Sequence, residues 1–176
     1  MKGKVVNTIV IIVIIVLMAA LIIPWPREFI KDFNGVKYQL GPDNKTYSES
    51  VKISFNGVFK KCYFGLLDDR FIGYITIDGT DIKEDEEFNL SFGEEKEAIL
   101  AHTYFVKSEK AMLTSSYGRL HIDEGFEEFT IELYTGEPNN KRFNSFDGFM
   151  ISAPAENRDE ALLISKKLVV YGDDIQ

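Results

Sequence analysis

Val5 to Ile23, VVNTIVIIVIIVLMAALII, constrains this chain more than any other stretch. It holds no charge, and only Asn7 and Thr8 in it are polar. As a helix, its nineteen residues would span about 28 Å at 1.5 Å rise per residue, close to the roughly 30 Å hydrocarbon core of a bilayer. Three readings compete. A buried core helix would show one apolar stripe, yet Ile9–Ile23 is apolar on every side. A cleaved signal peptide needs small residues at positions −3 and −1. Ala19 or Ala20 supplies the second, but Leu17 or Met18 then stands at the first, and the apolar run continues to Ile23. A retained signal anchor therefore fits best, with the membrane reached through residues 5–23.

Charge orients the anchor. Lys2 and Lys4 precede it, while Arg27 and Glu28 cancel just beyond it. The positive-inside rule keeps residues 1–4 in the cytoplasm and sends the remainder across. Pro24 and Pro26 end the helix, because the residue before a proline avoids the α region and proline donates no hydrogen bond. Trp25, the only Trp, falls where an indole favours the headgroup level. The expected organisation is a cytoplasmic tail (1–4), an anchor (5–23), a tether (24–34) and an extracytoplasmic domain (35–176).

The 176-residue chain has net charge −8, of which Lys2 and Lys4 supply +2, so the outer part carries −10. That balance excludes ordinary nucleic-acid binding and contact along an anionic membrane surface. Cys62 is the only cysteine, so no intrachain disulfide forms and the domain depends on its core. An exported domain without disulfides suits a bacterial cell envelope. All 14 Phe and all 8 Tyr lie beyond the anchor, a large supply for a core.

The outer chain reads as strands broken by turns. Gly35–Leu40, Ser50–Phe55, Val58–Leu67, Phe71–Asp78, Phe88–Phe92 and Ala98–Val106 alternate or run apolar. Ala111–Tyr117, Arg119–Asp123, Glu127–Tyr134 and Gly148–Ala153 continue the series. Asn56-Gly57 predicts a hairpin turn, and Gly73 predicts a bulge or bend. Near the end, Asn157 with Glu160 three residues on forms a capping-box pattern that opens an amphipathic helix over 157–170. The predicted fold is mainly β, an antiparallel sandwich or barrel of about 8–10 strands with a C-terminal helix, preceded by one transmembrane helix. Strands followed by one helix is an order also found in lipocalin-like barrels, a likeness of order and not of motif.

Candidate sites are sparse. His121 and Asp123, two apart on one strand, share a face with Arg119 and could contribute two ligands to a metal. Two ligands do not make a site, and a solvated strand face is the plainer expectation. Asp78, Asp81 and Glu84, followed by Asp85, Glu86 and Glu87, could gather a Ca²⁺, but the spacing is not that of a helix–loop–helix site and a hydrated loop is expected. His102 is expected to be partly buried with a hydrogen-bond partner, and Cys62 to be a small buried hydrophobe. No nucleophile with a placed base, metal motif or phosphate loop appears, so no catalytic residue and no cofactor is assigned. The expected function is a non-catalytic binding module of the cell envelope, meeting an envelope protein through an exposed strand edge or aromatic patch. The alternatives are a barrel that holds a small apolar ligand and a membrane-tethered hydrolase that uses a carboxylate pair.

Overall fold

The computed structural model describes residues 10–14, 25–62, 67–106, 108, 110–137 and 140–169. Residues 10–14 are helical, and the rest of the expected anchor lies outside the described residues. Among the described residues no helix is long and apolar enough to cross a membrane.

Eight strands follow: β1 (Trp25–Gln39), β2 (Ser48–Lys61), β3 (Asp69–Ile77), β4 (Glu87–Phe92), β5 (Glu97–Val106), β6 (Ala111–Ile122), β7 (Phe129–Leu133) and β8 (Phe149–Ala153). One helix, α1 (Arg158–Leu168), comes after them. The strands form a single antiparallel sheet in the order β4-β3-β2-β1-β8-β7-β6-β5. Each strand pairs with its neighbour in sequence except across β4 and β5, and β1 pairs with β8. The sheet thus rolls into a nearly closed barrel whose seam lies between β4 and β5. Across that seam a side chain takes the place of a ladder: His102 Nδ1 lies 3.0 Å from the carbonyl of Glu87.

The period of two decides what fills the barrel. Along β3, Phe71, Gly73, Ile75 and Ile77 are buried while Arg70 and Tyr74 are exposed. Phe29, Phe33, Phe55, Phe59, Phe88, Phe92 and Phe129 point the same way from other strands and join one core cluster. Their rings meet mostly edge to face, the favoured aromatic arrangement.

The expected tether is instead strand. Residues 25–34 pair with β2 from Trp25↔Lys61 to Asn34↔Lys52, because Phe29 and Phe33 need the barrel interior. Asn56-Gly57 is not a turn either, since β2 runs straight through it. A Cβ at Gly57 would sit 2.3 Å from the Ile72 carbonyl oxygen, and one at Gly73 2.3 Å from that of Asn56. The two glycines stand opposite each other and let the strands approach where any side chain would collide. The two strands expected over 111–123 are one, β6, with an irregularity opposite Leu100/Ala101 at Tyr117.

Helix α1 opens as its sequence predicts: the Asn157 carboxamide oxygen accepts from the Glu160 amide at 3.0 Å. Its buried face, with Ala161 and Ile164, packs with Val36, Tyr38, Leu40 and Met150 on the outer side of the sheet. Between these layers the Tyr38, Ser152 and Thr130 hydroxyls form a buried chain, 3.4 Å and 2.9 Å long.

Candidate functional site

The meander sorts the loops onto two ends. Trp25 shares one end with the β2–β3, β4–β5 and β6–β7 connections. The β1–β2, β3–β4, β5–β6 and β7–β8 connections lie at the far end.

The Trp25 end is shut. Phe126, in the β6–β7 turn, has φ 54° and is fully buried against Phe29, Phe55, Phe59, Phe71, Phe92 and Phe129. Asp123 holds that turn: its carboxylate accepts from the amides of Gly125 (3.2 Å), Glu127 (2.7 Å) and Glu128 (3.0 Å). Beside it, Asp69 is 1% exposed, accepts from the Cys62 amide at 2.7 Å and pairs with Lys96 Nζ at 2.8 Å. Cys62 is buried, as its apolar surroundings predict.

A surface cleft of about 360 Å³ lies outside the Phe126 plug, lined by Lys60, Leu67, Asp68, Arg70 and Ser91, but the far end carries the candidate site. Three clefts meet there, and Lys141 lines all three. The largest, about 500 Å³, is walled by His102, Tyr104 and Tyr117 and by the carboxylates of Asp81, Asp85 and Glu86. In it His102 and Tyr104 stack with rings 9° from parallel. The Tyr117 hydroxyl donates to Glu86 at 2.5 Å. Burial, then the hydrogen bond and charge of Glu86, push the Tyr117 phenol well above its ordinary value. The second cleft, about 430 Å³, lies on the outer face and is lined by Arg119, Glu132, Tyr134, Lys141 and Arg142. Glu132 is 1% exposed, 3.9 Å from Arg119 Nε and 3.6 Å from His121 Nε2. Glu97 meets Arg119 at 3.4 Å and His121 at 3.7 Å. Burial alone would lower the Arg119 guanidinium; hydrogen bonding to Tyr134 and the charges around it hold it above its ordinary value.

Beyond these clefts β5 and β6 project as an arm. Thr103–Val106 extend past Glu87, where β4 begins, and among the described residues no strand pairs with that edge of β5. Phe105 pairs with Met112 and Tyr104 with Leu113. All four are exposed, Phe105 at 56% and Met112 at 63%. No charged residue occurs in Ala98–Val106 or Ala111–Gly118.

The candidates read from sequence disperse. His121 is buried between Glu97 and Glu132, not on a solvated face. Asp123 lies past the end of β6 and spends its carboxylate on backbone amides. Asp78, Asp81 and Glu84 are exposed, and among the described residues no three His, Cys, Asp or Glu side chains could hold a metal. His102 is half-buried with a carbonyl partner, as expected. Glu97, Glu132 and Lys141 were not singled out by sequence. The alternation of β7 marks Glu132 as outward-facing, but it is buried, in a cleft it shares with residues of the 141–145 segment. Comparison with protein-family models, with curated proteins and with solved structures finds no match for this chain.

Proposed function

We propose that the chain is a membrane-anchored, non-catalytic binding module whose barrel stands on the outer side of the cell envelope and presents its far end to a protein partner. The observation that carries this reading is the free edge of β5 in the arm: Thr103–Val106 hold no charge and, among the described residues, have no neighbouring strand on that side, while charge in the arm is confined to Lys107, Glu109 and Lys110 in the connection, on a domain that is otherwise strongly acidic. Exposed sheet edges are normally blunted by lysine, proline or a covering element. Leaving Thr103–Val106 bare suits the addition of an extended segment from another envelope protein, whose alternate side chains would meet Tyr104 and Phe105. The expected anchor over residues 5–23 is compatible with the same picture. β1 starts at Trp25, at the shut end of the barrel, and the arm lies at the opposite end. The phenylalanine-filled interior favours this reading over carriage of an apolar ligand.

Photo-cross-linking in native membranes tests it. A benzoylphenylalanine placed at Phe105 in the full chain should give one discrete heavier product. The same probe at Ile30 or Leu163, equally exposed but off the arm, should give none. Thr103→Lys, which charges the edge, should abolish the product. Cross-linking of equal strength at all three positions would refute partner binding through the arm, and a product of twice the chain mass would replace the foreign partner with a second copy.

A further inference from the structure

The outer-face cleft asks for a ligand that no neighbouring residue supplies. In a domain of net charge −10, Arg119, Lys141 and Arg142 converge there around one buried carboxylate, Glu132. Arg119 is shared with Glu97 and Glu132; Lys141 lies with its ammonium 5.6 Å from the centre of the Tyr117 ring, and neither it nor Arg142 forms an ion pair with a described residue. Glu132 Oε1 and Arg119 Nε are buried and have no hydrogen-bond partner, and neither has His121 Nε2, which lies beside Glu132 outside the cleft lining. Arg119 Nε still faces the other Glu132 oxygen at 3.9 Å, but buried polar groups are paired in nearly all native structures, so the unpartnered Glu132 Oε1 in the cleft lining marks a place where a donor binds.

The chemistry of the lining selects the class. Two guanidinium residues and a lysine in one lining suit the oxygens of a phosphoryl group. A bare phosphate would face Glu132 as a like charge, and a bare polyol would leave the cations unanswered. We infer that this cleft binds a phosphorylated polyol, its phosphoryl oxygens held by Arg119, Lys141 and Arg142 and an adjacent hydroxyl donating to Glu132. Ser145 and Tyr134, also in the lining, offer hydroxyls to the rest of the polyol. The binding is independent of the β5–β6 arm, so its failure would leave the partner reading intact.

Titration calorimetry on the detergent-solubilised full chain at low ionic strength tests this with three probes: glycerol phosphate, inorganic phosphate and glycerol. Saturable binding of glycerol phosphate is expected, with phosphate about tenfold weaker and glycerol silent. Arg142 is exposed and Lys141 sits at the rim, so Arg142→Ala and Lys141→Ala should keep the thermal midpoint while weakening glycerol phosphate about tenfold each. Glu132→Gln should narrow the preference for glycerol phosphate over phosphate. Absence of saturable glycerol phosphate binding, or binding indifferent to both cation substitutions, would overturn the site. Equal affinity for phosphate and glycerol phosphate in the unaltered chain would overturn the role of Glu132.

Discussion

The two ends of the barrel use the same residue types in opposite ways. At the Trp25 end, Phe126 turns inward and seals the interior under a ring of phenylalanines, and Asp123 and Asp69 spend their carboxylates on backbone amides and Lys96. At the far end, Phe105, Met112 and Tyr104 turn outward, and the exposed carboxylates of Asp81 and Asp85 line a cleft. One end spends its aromatic and acidic side chains on holding the fold, while the other leaves them available. That contrast teaches where to look for function in a chain whose sequence offers no named chemistry.

Substitutions at matched positions can break the contrast. Phe126→Ala should cost about 3–5 kcal/mol, because it removes a fully buried ring that the surrounding phenylalanines cannot replace. The same truncation at the far end, Phe105→Ala, should change stability by no more than about 0.5 kcal/mol. Urea midpoints of the two variants decide the matter, and similar losses would mean that the arm is structural. Asp69→Ala comes next, at roughly 3 kcal/mol, since it strips the acceptor from the Cys62 amide and the partner from Lys96. If the variant melts with the parent chain, the Trp25 end is not closed by that pair.

Smaller effects sharpen the picture. Asn157→Ala should cost about 1 kcal/mol by removing the cap of α1, and it should loosen the layer over β1, β7 and β8 without touching the barrel interior. Near-ultraviolet signals of the buried Tyr38 would report that loosening. The smallest effect is confined to alkaline pH. The Tyr117 phenol is raised by burial and by Glu86, so its contribution is complete below its unfolded value near pH 10 and is lost as pH climbs toward the folded one. Between pH 9 and about 11 the urea midpoint of the parent chain should fall more steeply than that of Tyr117→Phe. Parallel slopes would contradict the Tyr117–Glu86 hydrogen bond.

Much of the barrel was legible because period-two alternation is local. Phe71–Asp78 and Glu127–Tyr134 show their inward faces without help from the rest of the chain. The capping pattern at Asn157 and Glu160 is likewise local. What misled were residues whose role depends on a distant neighbour. Asn56-Gly57 has the composition of a turn, but its glycine serves a crossing with Gly73. Residues 25–34 are too polar on one face to announce a strand until β2 is laid beside them. The candidate site was less legible still. Glu132, Arg119 and Lys141 come from β7, β6 and the β7–β8 connection, and only the rolled sheet brings them to one cleft. His121 reads as a solvated strand residue until Glu97 and Glu132 flank it.

Hydrogen exchange on the full chain, purified and in native membranes, tests the division between the ends most directly. In the purified protein, amides around Phe126 and along β3 should exchange only on global unfolding, while alternate amides of Thr103–Val106 on the bare edge should exchange within seconds. In native membranes the first set should be unchanged and the second should become protected, as an added strand requires. Uniform protection in the purified chain, or an edge that exchanges as fast in membranes as in detergent, would contradict the assignment of the far end as the binding face.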